Sequence, residues 1–475
     1  MSLALLCSAL VSHFLPKIMK TYFAHEALLA DIWARDVLIE VGDDGNIASV
    51  KSGQTPGNAE NLGGPIIPGM ASAHTHAFQR AMAGLAERMG SQEDSFWTWR
   101  EVMYSFVKRI GPEDAHAIAA QLYAEMLKNG YTAVGEFHYL HHGLNGKPYA
   151  RRSEMAHSML SAAQSSGMAI TLLPSLYAYA NFGETPLESG QKRFASSPDM
   201  ILKMVQELRV AFAGKDDIRL GVAPHSLRAV SPAMLLDLLA GINAIDPTAP
   251  VHMHVAEQVR EVNDCLSWSD QRPVQWLLDN MPVDERWCLV HCTHVSMTEA
   301  EHLAQSGAVT GLCPSTEGNL GDGIFPFLRY REKGGRYAIG TDTNVSRSPV
   351  EELRWLEYVQ RLSLRRRNIS ATLKHPSVGT NLWRGAADGG AQALGRKMGT
   401  IARGLRADLV VLDDTHVDLA DRHGETLMDA FLFNCAGRAV KNVMVGGNWV
   451  VREGRHHDEE AIEARYRKVQ KRLLA

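Results

Sequence analysis

The chain of 475 residues is 45% hydrophobic and 21% charged, with a formal net charge of −4. That length buries a large core and allows two to four domains, or one large α/β barrel with an appendage. With no basic excess and no Lys/Arg tract beyond Arg365-Arg366-Arg367, nucleic acid is excluded as an expected partner.

No run of about 20 apolar residues is present, so no transmembrane helix and no membrane partner are expected. Six cysteines without a CxxC pair point to reduced thiols and a cytoplasmic protein. Residues 1–18 are mildly apolar but lack a basic n-region, and are set aside as a leader or a mis-assigned start ahead of Met19.

Residues 20–67 read as short strands. Asp36 to Val41 runs into the turn Gly42-Asp43-Asp44-Gly45-Asn46, and Ile47 to Val50 returns, as a β-hairpin does. From residue 66 the pattern changes to β-branched runs alternating with amphipathic helical stretches. The eight strand candidates are Ile66–Met70, Thr132–Phe137, Ala169–Leu173, Arg219–Ala223, Val251–Val255, Cys288–His291, Val309–Cys313 and Tyr337–Thr341. Helices are expected over Pro112–Lys128, Ser153–Ser166, Pro198–Ala213 and Pro232–Ile242. Eight such units predict an α/β fold, a (β/α)8 TIM-like barrel over residues 68–395. An open doubly wound sheet would announce a Gly-rich first turn, and none is present.

Short strands return after residue 395, through Gly404 to Asp413 and Val440 to Val451. Neither chain end can build a sheet with a buried face alone. Residues 19–67 and 396–455 are therefore expected to join as one small flanking β-domain, with residues 456–475 as a C-terminal helix.

In such a barrel reacting groups sit at the carboxyl ends of the strands. In chain order these ends offer His74 and His76, then Glu136-Phe137-His138-Tyr139, Pro224-His225-Ser226-Leu227-Arg228, His252-Met253-His254 with Glu257, His291, and Asp342. Alternation along a strand puts His74 and His76 on one face. Ionisable groups at nearly every strand end are hard to explain by packing. Three histidines and an aspartate suit one divalent ion, Zn²⁺ or Fe²⁺, with a position left for a water whose pKa falls towards ~7.

The order His-x-His, His-x-x-Glu, His, then Asp at the last strand resembles the amidohydrolase superfamily, in its one-metal deaminase branch. The Gly-x-x-Ala-Asp-Leu-Val-Val-Leu-Asp segment after residue 403 is similar to the same superfamily. Two-metal members carry a carboxylated lysine at the fourth strand, where this chain has His225. Within the superfamily, His74-Thr75-His76-Ala77-Phe78-Gln79-Arg80, Phe96-Trp97-Thr98-Trp99-Arg100, Glu136 to Tyr139 and Pro224 to Arg228 resemble the formiminoglutamate deiminases of histidine degradation.

That resemblance implies His74, His76, His254 and Asp342 as metal ligands, zinc ahead of iron. It implies Asp342 as acceptor of the water proton, Glu257 as proton shuttle to the substrate nitrogen, and His291 as hydrogen-bond partner of the attacking oxygen. The substrate, with two carboxylates, would meet Arg228 and Arg100 in an aromatic loop, and neutral hydrogen bonds from Gln79, Tyr139 and His225. The expected reaction converts N-formimino-L-glutamate to N-formyl-L-glutamate and ammonia, in a homodimer. The rival readings are a deaminase of a heterocycle such as guanine, a thio-adenosine or a triazine, and a barrel without catalysis that serves as a scaffold.

Overall fold

The structure is a computed structural model that describes residues 19–89, 95–435 and 439–475. The expected leader, residues 1–18, lies outside the described residues.

Eight parallel strand positions form the central sheet. They are Met70–Thr75, Tyr131–His138, Ala169–Leu176, the pair Ile218–Leu220 and Ala223–Pro224, Val251–Val255, Trp287–His291, Val309–Leu312 and Arg336–Ile339. The first pairs with the eighth through Ser72 and Ile339. The fourth meets the fifth where His252 N donates to Val222 O and His254 N to His225 O, each at 3.0 Å, so the sheet closes into a barrel. Every residue of the fifth and sixth strands is buried, as expected of strands covered on both faces. Ser-Pro pairs start several surrounding helices. Ser197 caps Pro198–Ala211 and Ser231 caps Pro232–Ile245, each accepting a hydrogen bond from a backbone N–H three residues on.

Two expected strands are revised. Ile66–Met70 is not one barrel strand. Ile66–Pro68 belongs to a second sheet, and the barrel begins at Met70. Gly69 is the pivot: a Cβ there would stand 2.3 Å from Thr132 Oγ1, so only glycine lets the chain pass this close. The fourth strand is broken at Gly221, where a Cβ would stand 2.5 Å from Pro250 O. A third revision concerns the aromatic segment. It is not a loop but the helix Phe96–Val107, capped by Ser95, whose backbone N–H donates to Thr98 Oγ1 at 2.9 Å.

The second sheet has nine strands. Its path runs Arg455–His456, Asn448–Arg452, Val440–Val445, Leu409–Leu412, Ile66–Pro68, Lys20–Leu28, Trp33–Val41 and Ile47–Lys51, and Glu60–Asn61 pairs beside Lys20–Leu28. Both chain ends therefore share one sheet, joined where Leu409–Leu412 lies antiparallel to Ile66–Pro68. The last helix, Glu459–Leu474, packs on Pro112–Lys128, with Lys128 bonded to Glu459 at 2.5 Å.

Candidate active site

His74 lies in the first barrel strand and His76 follows it; His254 lies in the fifth, His291 ends the sixth, and Asp342 follows the eighth. The fold thus brings together residues up to 268 positions apart. His74 Nε2 and His254 Nε2 are 3.0 Å apart. Asp342 Oδ1 stands 3.4 Å from His74 Nε2 and 3.5 Å from His76 Nε2. Ligand atoms ~2.0–2.1 Å from one tetrahedral ion stand ~3.3 Å from each other, so these spacings fit a single small cation.

The protonation states fit as well. His76 Nδ1 donates to Phe137 O at 2.9 Å and His254 Nδ1 to His225 O at 3.0 Å. Those bonds fix the tautomer and turn the Nε2 lone pairs inward. Burial holds the rings neutral: it pushes His74 down to about 3, and lowers His76 and His254. Burial alone would raise Asp342, but the hydrogen bond and field of His74, with His291 and His76, hold it well below the usual carboxylate range. Three imidazole lone pairs and a carboxylate that converge in this way are a donor set that suits a metal ion.

Next to this cluster, His291 Nε2 is 3.7 Å from both Glu257 Oε1 and Asp342 Oδ2, and its Nδ1 is 3.3 Å from Glu317 Oε1. Burial works against the charged ring, but Glu257, Glu317 and Asp342 outweigh it and lift His291 to about 10. Burial pushes Glu257 up to about 7, against the opposing fields of His291 and Arg228. Glu257 is therefore poised to gain or lose a proton near neutrality. Its loop is fixed by Glu261, whose carboxylate accepts from Ala256 N at 3.0 Å and Glu257 N at 3.2 Å. Ala256, His291 and Asp342 all take positive φ, of 52°, 69° and 43°. Such strain at strand ends persists only where surrounding contacts impose it.

Above the cluster a cavity encloses about 580 Å³ of atom-free space, open solvent included. His76, Gln79, Arg100, Tyr139, His225, Arg228, His254, Glu257, His291 and Asp342 all line it, and His74 lies fully buried below. Gln79 Nε2 donates to Tyr139 Oη at 2.9 Å, and Gln79 Oε1 is buried without a partner. Arg228 is 6% exposed, and its Nε is buried without a hydrogen-bond partner, as is Nε of Arg100. Arg100 stacks on Trp97 at 4.8 Å and Tyr104 at 5.4 Å, which leaves its fork for a ligand.

Several residues that shape the site were given no role in the sequence reading, although Glu136 stood among its strand-end groups. Glu136, buried and pushed up to about 8 by that burial, accepts from Ala77 N and Tyr123 Oη, both at 3.0 Å, and so holds the turn after His76. Asn344 ties the loops of His76 and Asp342. Tyr104 and Tyr177 join the cavity wall. Tyr104 had a signal: it follows Arg100 by four residues, one helical turn. In the opposite sense, His252 turns away from the cluster, its Nε2 donating to Ala393 O at 2.7 Å.

Comparisons with known proteins bear on the family and the fold. The profile of the Amidohydrolase family matches residues 66–450. That of the formimidoylglutamate deiminase HutF N-terminal domain matches residues 19–64. A formimidoylglutamate deiminase of Pseudomonas aeruginosa is 50% identical over 442 residues, 93% of this chain and 97% of that one. Among solved structures, an amidohydrolase from Brucella melitensis superposes with a TM-score of 0.91 at 44% identity, over 96% of this chain and all of that chain. An adenosine deaminase from Xanthomonas campestris, with bound zinc, shares the fold at a TM-score of 0.78 and 22% identity, over 96% of this chain and 98% of that one. The barrel, its strand-end histidines and these matches together place the chain in the amidohydrolase family, beside the formimidoylglutamate deiminases.

Proposed function

We propose that the chain hydrolyses N-formimino-L-glutamate to N-formyl-L-glutamate and ammonia, a step of histidine degradation. The observation that carries this is the pairing of two arginines, each with a buried unpartnered Nε, with the His/Asp/Glu cluster in one cavity. Arg228, buried beside Glu261 and Glu257, and the half-buried Arg100 each keep a guanidinium Nε without a hydrogen-bond partner, and two such forks suit two carboxylates. A neutral purine or triazine would leave both Nε donors without an anionic partner.

His74, His76, His254 and Asp342 would hold one divalent ion, zinc by the tetrahedral fit of nitrogen and oxygen donors. When bound, that ion supplies Lewis acidity and makes hydroxide available at neutral pH. The rest of the chemistry falls to the chain. Asp342 takes the proton of the attacking water. His291, held by Glu317, hydrogen-bonds the oxygen as it adds to the formimino carbon. Glu257, near neutrality in its pKa, gives a proton to the terminal nitrogen on addition; the proton taken up by Asp342 follows as the C–N bond breaks, ammonia leaves, and the hydroxyl proton of the adduct returns to Glu257 to leave the formyl group. Arg228 and Arg100 bind the carboxylates, while Gln79, Tyr139 and His225 orient the formimino group. A positioned acid or base of this kind contributes typically ~10²–10⁴ in rate.

The same reading divides the chain into the barrel and a flanking domain built from both chain ends, with the first boundary moved from residue 67 to Gly69 and the terminal helix set at Glu459–Leu474. A cytoplasmic homodimer is supported by the five cysteines among the described residues, all buried and unpaired, and by the exposed stripe Trp355, Tyr358 and Leu362 on helix Pro349–Leu364. No described helix is long and apolar enough to cross a membrane. The test is product identification after incubation with formiminoglutamate. Ammonia with N-formylglutamate supports the proposal; formamide with glutamate, or turnover of guanine alone, refutes it.

A further inference from the structure

Gln191 is completely buried in the loop after the third barrel strand. Its orientation is settled by its neighbours. The backbone N–H of Glu188 donates to Gln191 Oε1 at 2.8 Å, so the amide nitrogen must face the other way. There it donates to Tyr177 Oη at 3.0 Å and Tyr104 Oη at 3.3 Å. Both phenol oxygens are thus acceptors towards Gln191, and both keep their own hydrogens to donate. The two hydroxyls also interact with each other. Even with one hydrogen spent between them, one is left to donate into the cavity that both rings line.

The place of this donor in the cavity is defined. Tyr177 packs on His225 with ring centroids 4.6 Å apart, and His225 in turn on His254 at 4.8 Å. The phenols therefore stand one ring beyond the metal-ligand cluster, at the end where Arg100 covers Tyr104. The loop of Gln191 cannot drift from this wall. Arg193 is 4% exposed; its Nε donates to His142 O and one terminal nitrogen to Ile110 O, both at 2.9 Å, and the other to Val107 O. Val107 ends the helix that carries Arg100 and Tyr104.

From this arrangement we infer that Tyr104 and Tyr177, oriented by Gln191, present a phenol O–H donor to the side-chain carboxylate of the substrate and select for it. The inference rests on the deiminase reading above. In formiminoglutamate the side-chain carboxylate is the one farther from the reacting carbon, which matches a donor set back from the cluster. Tyr104 and Tyr177 touch substrate; Gln191 is a positioning residue. A carboxylate accepts such a bond as a charge-assisted one, shorter and stronger than a neutral pair.

The experiment compares kcat/KM for N-formimino-L-glutamate with that for N-formimino-L-norvaline, in which a methyl group replaces the side-chain carboxylate. In Tyr104→Phe or Tyr177→Phe the preference for the glutamate compound should fall by about tenfold or more. The loss should lie in KM, with kcat nearly unchanged and the norvaline compound unaffected. Gln191→Glu keeps the shape but, ionised or protonated, offers at most one donor in place of two, so at least one phenol hydrogen is drawn inward and the preference should fall in the same direction as in Tyr104→Phe. Wild-type preference in both tyrosine variants overturns the inference, and wild-type preference in Gln191→Glu removes the positioning role. If the unmodified protein releases no ammonia from formiminoglutamate, the deiminase reading itself has failed, a result distinct from either.

Discussion

Asn344 donates its side-chain amide to the backbone carbonyl of His76 at 3.0 Å, across the seam between the last and first barrel strands. The same nitrogen reaches Asp342 O at 2.9 Å, while Oδ1 accepts from Thr75 and Thr341, both at 2.8 Å. One buried amide with all its bonds made thus fixes the spacing between two candidate ligands from opposite ends of the barrel. Asn344→Asp removes both donated bonds and places a carboxylate against two carbonyls. Zinc affinity should drop by ~10–100-fold, as for other partners that orient metal ligands. Competition with a calibrated chelator reads this directly, and an unchanged dissociation constant would contradict the clamp.

Binding and chemistry should separate in two variants. Arg228→Met removes a buried guanidinium but leaves Glu257 in place, so KM for formiminoglutamate should rise by at least tenfold with a smaller change in kcat. Glu257→Gln cannot move a proton, and kcat should fall by ~10²–10⁴. Steady-state rates of ammonia release distinguish the two patterns. An Arg228→Met enzyme with wild-type KM would mean that the carboxylate contacts lie elsewhere.

Removal of the ion offers a third test. His74, His76 and His254 are buried as neutral rings around a carboxylate, so metal binds the folded state and not the unfolded one. A ligand at a thousand times its Kd stabilises by about 4 kcal/mol. Chelated protein should therefore melt at a lower temperature and release no ammonia, and added zinc should restore both. His254→Ala should show no zinc-dependent shift in Tm.

The barrel was legible because its strands are short apolar runs and several of its helices open on Ser-Pro or Gly-Pro pairs; Pro112–Lys128 and Val251–Val255 stand where the pattern puts them. The strand-end histidines were legible for the same reason, since a barrel sends its strand ends to one mouth. What escaped depended on tertiary contact. Whether Ile66–Pro68 joins the barrel or the second sheet is decided by the room Gly69 leaves beside Thr132, which no local pattern records. The run of aromatics at Phe96 hid a helix whose cap, Ser95 with Thr98, is a weak signal. Gln191 and Asn344 look like ordinary loop amides in sequence; only the hydrogen-bond geometry shows what each one holds.

The buried carboxyl of Glu352 gives a prediction for stability against pH. It is fully buried beneath Ser315, accepting from Ser315 N at 2.9 Å and bonded to Ser315 Oγ at 2.5 Å. Burial raises it to about 8, more than those bonds lower it, whereas in the unfolded chain it titrates near its ordinary value of 4.5. Between these values the folded state holds a proton that the unfolded state has lost. Its contribution to stability is therefore complete below about 4.5 and is lost as pH rises through about 8. Glu352→Gln mimics the protonated form, with Oε1 accepting from Ser315 N and the amide donating to Ser315 Oγ. The variant should lose less Tm than the parent between pH 6 and pH 9, and match it at the acid end. Glu136, also raised to about 8, should keep some of the slope in the variant. Melting curves across that range decide the matter, and parallel pH profiles for parent and variant would mean that Glu352 is already ionised in the fold.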